Sequence, residues 1–502
     1  MTHTIFTKDT KRMIRQRISI AFLVLLTHAS IAQLKLNYKP EIQSPTEMQY
    51  FSPKGDNLFV GDCIPFSHNG TYYLYWLLDS AHHSALNGLG GHQWTLSTSQ
   101  DLKTWKHYPV VIGVDEEWEK SICTGSVVVN NNKFYAFYAT RRVVDGKVNE
   151  QLSYAISDDG IHFKKQKPNP FYTSAPGYSK RDFRDPKVFV DKNGYFHLFV
   201  SSKLSDAVVK RFDGALVHMV SKDLKTWDIK SPVLSGQSSV PECPDYFKWN
   251  DWYYLIYGDA GDTYYVKSKS PYGPWEQPEF QALVEDWSNV AKTAEFKGNR
   301  RIMASWIPSK KDNKDDGHEI FGGSAMFREL VQFPNGTLGT KFPSEMIPQT
   351  GTVLQPAMIR DSLSKEAPNN GLKIVAPNGV GTVQVKDIPR NSRITFEVEP
   401  GGVNEELGLL LRSSVDGESS YKLTFDSNQQ RVTLHNTTIS SVEGMDKRFK
   451  VDIVMKGDII DVSVDGRRCV VNRLPEKKGD MLMFFAKHGQ VTFDHITIAP
   501  LK

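Results

Sequence analysis

The sequence contains 502 residues, more than one hydrophobic core ordinarily organises, so we expect two domains. Its formal net charge of +4 comes from residues 1–32, whose five Lys or Arg and one Asp leave the rest of the chain near neutrality (4 − 4 = 0). A neutral chain gives no reason to expect a nucleic-acid partner. Four cysteines without a CxxC motif exclude a disulfide scaffold, and the sequence predicts neither a metal site nor a cofactor.

Residues 1–32 have the pattern of a secretory signal peptide. Basic residues between Lys11 and Arg17 precede a short apolar stretch at 18–26, and the small residues Ser30 and Ala32 follow it. An apolar stretch of this length cannot cross a bilayer, which requires about 20 residues. We therefore expect an exported protein, periplasmic or extracellular, without a membrane span.

A polar turn followed by an aromatic strand recurs along the next part of the chain. The copies begin at Asn69 ("NGTYYLYW"), Asn131, Asn193, Asn250 and Gly298, with spacings of 62, 62, 57 and 48 residues. Self-similarity at a nearly constant spacing is typical of β-propellers, in which each repeat forms one blade. The sequence thus predicts an all-β fold with a five-bladed β-propeller over residues 33–345. A β-sandwich with coincidental turns is the alternative.

The repeat is lost after residue 345. Residues 347–371 lack periodicity and are interpreted as a connection, and alternating strands such as "RITFEVE" and "YKLTFD" then return. Ile460, Val462 and Val464 share one face ahead of an Asp-Gly turn, as in a half-buried hairpin. Residues 346–502 are predicted to form a β-sandwich with a structural or carbohydrate-binding role.

Three carboxylates fall at nearly the same point of three repeats. Asp62 precedes its turn asparagine by seven residues (69 − 62), whereas Asp185 and Glu242 precede theirs by eight (193 − 185 and 250 − 242). The strand before each aromatic strand would line the propeller axis, so the three acids would converge on one funnel. Thr124, Gly125 and Ser126 occupy this point in the second repeat, and Trp287 lies there in the fifth.

Converging acids repel one another and cost stability, so their convergence indicates a function. Glycoside hydrolysis requires one protonated and one ionised carboxyl group, which mutual repulsion can provide. Arg184 would help to keep the acids ionised, and Trp94, Trp287 and Trp306 suit the apolar faces of sugar rings. The alternative is that the acids are strand-end residues satisfied by backbone N–H groups.

The sequence gives weaker indications of the positions of other residues near the funnel. His92 and Gln93 would line the funnel rim beside Trp94, although His92 equally fits a structural histidine. Cys63 and Cys243 each follow one of the acids, so strand alternation predicts that they face away from the funnel and pack.

At these residues the chain resembles glycoside hydrolase family 32, the levanase and invertase family. The segments that carry the resemblance keep the family order and are "GHQWTLSTSQDLKTW" (91–105), "CTGSVVV" (123–129), "FRDPKVF" (183–189), "ECPDYF" (242–247) and "GGSAMFREL" (322–330). The resemblance implies a five-bladed propeller with a sandwich, and hydrolysis of fructans or related furanosides with retention through a covalent intermediate. It casts Asp62 as nucleophile, Glu242 as acid/base, and Asp185 as the group that stabilises the transition state by holding sugar hydroxyls.

One departure concerns the surroundings of the implied nucleophile. The family normally has Asn-Asp-Pro-Asn there, whereas this sequence has Gly61-Asp62-Cys63-Ile64. Both asparagine side chains that contact the sugar are absent, so the first subsite is expected to accept something other than an ordinary fructosyl unit. Two further functions remain open on the sequence: an inverting arabinan- or xylan-type propeller hydrolase, and a propeller that binds glycans without cleaving them.

Overall fold

A computed structural model describes residues 42–43, 48–55, 57–259, 262–279, 283 and 288–502 of the protein. The predicted signal peptide, residues 1–32, and Trp287 lie outside the described residues. The described secondary structure is almost entirely β. A short helix, α1 (Ala85–Gly88), and 3-10 turns at Lys210–Phe212 and Lys311–Asn313 interrupt it. None of these helical segments is long and apolar enough to span a membrane.

The strands before residue 345 follow the predicted repeat, and each aromatic segment forms the second strand of a group. In chain order they are β1 (Ile42–Gln43), β2 (Leu58–His68), β3 (Thr71–Ser80), β4 (Gln93–Ser99), β5 (Trp105–Ile112), β6 (Ser121–Asn130), β7 (Lys133–Val144), β8 (Lys147–Ser157), β9 (Lys164–Lys165), β10 (Tyr178–Val190), β11 (Phe196–Leu204), β12 (Gly214–Ser221), β13 (Asp228–Gln237), β14 (Glu242–Trp249), β15 (Trp252–Asp259), β16 (Asp262–Ser268), β17 (Asn289–Phe296), β18 (Arg300–Lys310), β19 (Glu319–Gln332) and β20 (Leu338–Lys341).

Within the described residues these strands form four antiparallel sheets. Three of them are β6-β7-β8-β9, β10-β11-β12-β13 and β14-β15-β16. The fourth has the order β1-β5-β4-β3-β2-β19-β18-β17 with β20 beside β19, and its two halves are joined by the single pair Gly323 and Val60. The last strands of this region therefore pair with the first, which closes the arrangement on itself.

Five strands, which we call the axial strands, contact one another in a closed ring. These are β2, β6, β10, β14 and β17, each touching the next, with β17 touching β2. An apolar cluster fills the space between each pair of neighbouring groups. Between the groups that contain β2 and β6, for example, this cluster includes Tyr75, Trp94, Ile122 and Tyr138. Burial of these large side chains stabilises the ring at about 25 cal/mol per Å² of apolar surface.

Every axial strand carries a β-bulge at the same place. In each case three steps along the axial strand oppose two steps along its partner: Val60 to Cys63, Ile122 to Gly125, Arg184 to Lys187, Glu242 to Asp245 and Asn289 to Lys292. A bulge inserts one residue, bends the strand and redirects side chains. The repetition of this feature determines which residues face the centre of the ring.

The strands after residue 345 form one hydrogen-bonded network around a separate apolar core. They are β21 (Met358–Arg360), β22 (Ser364–Ala367), β23 (Gly371–Val385), β24 (Ser392–Pro400), β25 (Glu406–Ser413), β26 (Tyr421–Asp426), β27 (Arg431–Leu434), β28 (Thr437–Ile439), β29 (Phe449–Lys456), β30 (Ile459–Val464), β31 (Arg468–Arg473) and β32 (Met481–Pro500). Strand β32 is long enough to pair with β23, β24 and β25.

Two expectations for this region were wrong. The stretch 347–371 is not wholly irregular, because β21 and β22 lie in it and pair with β23. Strand β30 is not half-buried, because both of its faces are covered. Ile460, Val462 and Val464 face the sandwich core, whereas Ile459 packs against the first region of the chain.

A buried ion pair connects the two regions. The Arg328 guanidinium donates two hydrogen bonds of 2.7 Å to the carboxylate of Asp461, and the hydroxyl of Tyr50 donates to the same carboxylate at 2.7 Å. Both charged side chains are fully buried. Removing one partner of such a pair typically costs 3–5 kcal/mol, since it leaves a buried charge uncompensated.

Candidate active site

The bulges bring the three predicted acids to one cavity. Asp62, Asp185 and Glu242 all line a cavity of about 360 Å³ at one end of the ring of axial strands. The acids do not occupy one equivalent position, however. Glu242 is the residue before its bulge, as Arg184 is on β10, whereas Asp185 and Asp62 are the first and second residues within theirs. They therefore reach the cavity from three successive positions.

Asp62 lies at the floor of the cavity and is 8% exposed. The hydroxyl of Thr124 donates a hydrogen bond to its Oδ2, and Nε1 of Trp306 donates to its Oδ1 at 3.1 Å. Burial raises the pKa of Asp62, while the hydrogen bond from Thr124 and the charge of His92 oppose the increase. Both donors stabilise the ionised carboxylate, which is the form that a nucleophile requires.

Asp185 is held through one of its carboxylate oxygens, Oδ2. It accepts a hydrogen bond of 3.1 Å from the backbone N–H of Cys243, and Nε of Arg184 lies 3.7 Å from its Oδ2. Burial has the largest effect and raises the pKa of Asp185 to about 7 despite the opposing charge of Arg184, and the carboxylates of Glu150, Glu242 and Asp62 act in the same direction as burial. Asp185 therefore gains or loses its proton near neutral pH.

Glu242 is the most exposed of the three acids. Its side chain is 53% exposed, and its Oε1 accepts a hydrogen bond of 2.9 Å from Nη2 of Arg184. The same guanidinium contacts Asp182 at 2.8 Å and Glu150 at 3.4 Å. Arg184 thus contacts both Asp185 and Glu242, and its positive charge reduces the repulsion between these two acids.

Three charged residues of the cavity, Arg141, Glu150 and Glu319, were missed by the sequence analysis. Arg141 and Glu150 come from the β7–β8 hairpin, and Nη2 of Arg141 contacts Oε1 of Glu150 at 2.8 Å. The available signal was the change from aromatic to basic residues at the end of the repeat, "FYAFYATRR". Such a change indicates the end of a buried strand and does not by itself indicate an active site.

Four predicted site residues do not line the cavity. Gln93 is buried and its Oε1 accepts from the backbone N–H of Val114, whereas Trp94 is fully buried and donates from Nε1 to the carbonyl of Cys123 at 2.9 Å. Gly125 lies against the backbone of Phe137, where a Cβ would come within 1.9 Å of a carbonyl oxygen. These expectations were wrong because neighbouring strands cover both faces of β4 and of β6 at these residues.

Ser126 is the fourth of these residues. Its hydroxyl donates to the carbonyl of Pro186 at 2.7 Å and accepts from the backbone N–H of Val188, so it joins β6 to β10. Three other predicted residues, Thr124, His92 and Trp306, do line the cavity. Trp306 is only 3% exposed, so its ring offers little surface to a sugar. Its contribution to the site is the hydrogen bond that it donates to Asp62.

The orientation of Cys243 also differs from the expectation. Cys63 packs in the core, as predicted, with its Sγ 3.3 Å from the carbonyl oxygen of Ser305. Cys243 instead lines the cavity, and its Sγ lies 3.5 Å from Oδ2 of Asp185. The bulge places Cys243 at φ +50°, which breaks the alternation on which the prediction depended.

One wall of the cavity is apolar where sugar-contacting asparagines were expected. A Cβ on Gly61 would lie 2.9 Å from the ring of Phe321 and 3.2 Å from Cβ of Leu77, and both of these residues line the cavity. Ile64 is buried in the cluster between β2 and β6. Where the sequence departs from the family pattern around Asp62, the ring of Phe321 on β19 therefore occupies the space beside Gly61.

The cavity wall also contains a group of possible metal ligands. One donor atom from each of Asp79, His83 and His92 lies within 4.8 Å of the other two. Their spacing in the sequence matches no metal-binding motif, so the prediction of no metal site did not consider them. The donors are one carboxylate and two imidazoles.

Comparison with known proteins defines the class of this one. Residues 63–332, more than half of the chain, match the profile described as "Glycosyl hydrolases family 32 N-terminal domain". The chain therefore belongs to glycosyl hydrolase family 32 and is a glycosidase, as its motifs indicated. The match begins one residue after Asp62, at the place where the sequence departs from the family pattern.

Two relatives that are distant in sequence align with most of the chain. The levanase of Bacillus subtilis (strain 168) is 24% identical over 560 aligned residues, spanning 98% of this chain and 75% of the levanase. A sucrose-6-phosphate hydrolase of Zymomonas mobilis subsp. mobilis is 22% identical, spanning 81% of this chain and 83% of its own. The crystal structure of fructan 1-exohydrolase IIa from Cichorium intybus superimposes with a TM-score of 0.69 at 17% identity, covering 92% of this chain and 98% of that one. The shared fold is a β-propeller with a β-sandwich.

Proposed function

We propose that the protein is an exported, retaining glycosidase that cleaves β-fructofuranosidic or closely related furanosidic bonds of an oligo- or polysaccharide. The observation that carries the proposal is the graded exposure of the acids in one cavity: Asp62 is 8% exposed at the floor, whereas the Glu242 side chain is 53% exposed. A buried carboxylate that accepts two hydrogen bonds suits a nucleophile. An exposed carboxyl group suits the acid/base, which must exchange protons with the leaving group and with water.

The reaction proceeds in two displacements. The Asp62 carboxylate attacks the anomeric carbon as the glycosidic bond breaks, and Glu242 donates its proton to the departing oxygen. Ionised Glu242 then removes a proton from water, whose oxygen attacks the anomeric carbon and displaces Asp62. Two inversions at one carbon give net retention. Asp185 and Arg184 hold sugar hydroxyls, since their polar atoms face the cavity beside Asp62.

The domain organisation belongs to the same proposal. We assign five blades to residues 33–345, supported by the closed ring of five axial strands with equivalent bulges, and a sandwich to residues 346–502. Export to the periplasm or the extracellular space is supported by the composition of residues 1–32.

The test is sugar release by the purified mature chain from sucrose, inulin and levan. Fructose should appear with the parent and fall by roughly 10²–10⁴-fold in both Asp62→Ala and Glu242→Gln. NMR of the first-formed product should show the anomeric configuration of the substrate. Release that persists in Glu242→Gln would contradict the assigned roles, and an inverted first product would contradict retention.

A further inference from the structure

Asp79, His83 and His92 form a cluster in the wall of the cavity. Asp79 lies at the end of β3, His83 in the loop that follows, and His92 immediately before β4. His83 and His92 line the same cavity as Asp62, and Asp79 is fully buried behind them.

The cluster has two polar atoms without hydrogen-bond partners. Oδ1 of Asp79 accepts from the backbone N–H of His83 at 2.8 Å and lies 3.1 Å from Nε2 of His92. Oδ2 of Asp79 is buried and has no hydrogen-bond partner among the described residues, and neither does Nδ1 of His83. An unsatisfied buried carboxylate oxygen is costly. Two such atoms in one cluster indicate a group that the protein's own residues do not supply.

We infer that Asp79, His83 and His92 bind a divalent transition-metal ion, with Zn²⁺ as the best match. One carboxylate and two imidazoles form a donor set typical of zinc, and nitrogen ligands disfavour Ca²⁺ and Mg²⁺. Tetrahedral ligands at the usual zinc bond lengths lie roughly 3.4 Å apart. The three donor atoms lie within 4.8 Å of one another, so they need to move only a modest distance closer, and rotation of the half-buried His83 ring can provide this movement.

Arg141 is the group that must adjust. Its Nη1 lies 2.5 Å from Nε2 of His83, and because a guanidinium only donates, this contact keeps the His83 proton on Nδ1. Metal binding at Nδ1 moves that proton to Nε2, so Arg141 must turn away. Its Nη2 and Nε donate to Oε1 of Glu150 at 2.8 and 3.2 Å, and these hydrogen bonds, which do not involve Nη1, hold the guanidinium after the change.

The charge of the cavity favours a dication. Its lining includes the carboxylates of Asp62, Glu150, Asp185, Glu242 and Glu319 but only two guanidiniums, those of Arg141 and Arg184. Three protein ligands leave a fourth position, which can face the cavity because His83 and His92 line it. If the proposed glycosidase function holds, that position would bind a sugar hydroxyl near the wall formed by Leu77 and Phe321.

Metal content tests the inference independently of activity. The full mature chain, without an affinity tag, is incubated with ZnCl₂, desalted and measured by ICP mass spectrometry. We expect about one equivalent of zinc in the parent and less than about a tenth in His83→Ala and Asp79→Asn. His82→Ala is the matched control, because His82 lies in the same loop but stacks on Phe59 at 3.8 Å, and this variant should retain the ion.

Cobalt supplies a second readout. Co²⁺ bound by these ligands should give visible absorption bands in the parent and in His82→Ala that are absent from His83→Ala. A parent that holds no stoichiometric zinc, or a His83→Ala variant that binds as the parent does, would overturn the inference. If Asp79→Asn unfolds, the half-buried His83→Ala still decides the result. Zinc binding in a protein that releases no fructose would count against the proposed function alone.

Discussion

The hydroxyl of Thr124 donates a hydrogen bond to Oδ2 of Asp62, and the two residues occupy the same position of the bulge on neighbouring axial strands. The bulge on β2 therefore positions the proposed nucleophile, and the equivalent bulge on β6 positions the donor that keeps this nucleophile ionised. That donor opposes the effect of burial, which raises the pKa of Asp62.

Thr124→Val should move the acid limb of the kcat/KM pH profile to higher pH. A hydrogen bond to a charged group contributes roughly 1.5–3 kcal/mol, which corresponds to about 1–2 pKa units. Removing it raises the pKa of Asp62 further, so the carboxylate is protonated, and activity lost, at a higher pH than in the parent. Thr124→Ser keeps the donor and should leave the limb in place. An unshifted limb in the valine variant would show that Thr124 does not keep Asp62 ionised.

The repeat and the grouping of the three acids could be predicted from the sequence because both depend on local patterns. Each aromatic segment after a polar turn became the second strand of its group, as β3 and β7 show, and the three acids share a cavity. Counting residues back from the turns could not rank their positions, since the paired stretch between bulge and turn runs from Cys63 to His68 in β2 but only from Asp245 to Trp249 in β14. The count from the turns therefore placed Asp62 and Glu242 at nearly equivalent points, whereas in the structure they are two positions apart relative to the bulge.

The remaining features depend on contacts between distant segments. Alternation correctly buried Cys63 but failed for Cys243, because the bulge gives that residue a positive φ. Trp94 was expected to contact sugar, yet its neighbours on β6 and β7 enclose it. The fit of Phe321 over Gly61 joins residues 260 positions apart (321 − 61), and no local pattern indicates it.

Two tryptophan substitutions should separate the cavity from the core. Trp306→Phe removes the Nε1 donor to Asp62 and should lower kcat/KM by about 10-fold or more. Trp94→Phe removes a donor to the Cys123 carbonyl in the core, so it should lower Tm while kcat/KM changes less than about threefold. Steady-state kinetics and thermal unfolding of both variants check this. A larger kinetic loss in Trp94→Phe than in Trp306→Phe would reverse the assignment.

Asp185 should make stability depend on pH. Its pKa is raised from 3.8 to about 7, so between about pH 4 and pH 7 the folded state holds a proton that the unfolded chain releases. Stability due to this group is therefore full at low pH and is lost as pH rises through that interval. The Asp185→Asn variant lacks this ionisable carboxyl group and so does not lose stability in this way. Its Tm relative to that of the parent should therefore increase from pH 5 to pH 8, by about 2 °C or more.

The control for this experiment is Asp182→Asn. Asp182 also contacts Arg184, at 2.8 Å, but it lies outside the cavity lining. Its Tm difference from the parent should stay nearly constant over the same range. If Asp185→Asn likewise shows a constant difference, burial does not hold a proton on Asp185 near neutral pH.

Phe321 and Gly61 should behave as a coupled pair that determines what the first subsite accepts. A side chain at position 61 meets the Phe321 ring, since its Cβ alone would lie 2.9 Å from a ring carbon. Gly61→Asn should therefore destabilise the protein by about 1–3 kcal/mol through overpacking.

In the double variant Gly61→Asn/Phe321→Ser the asparagine has room, and it places a polar group in the cavity beside Asp62. The double variant should show a lower KM for sucrose or inulin than Phe321→Ser alone, because a polar group placed for a sugar hydroxyl discriminates strongly. Thermal unfolding and kinetics of the parent, both single variants and the double variant form a complete cycle. Strictly additive effects would mean that the two positions act independently and that Phe321 does not stand in the place of the missing side chain.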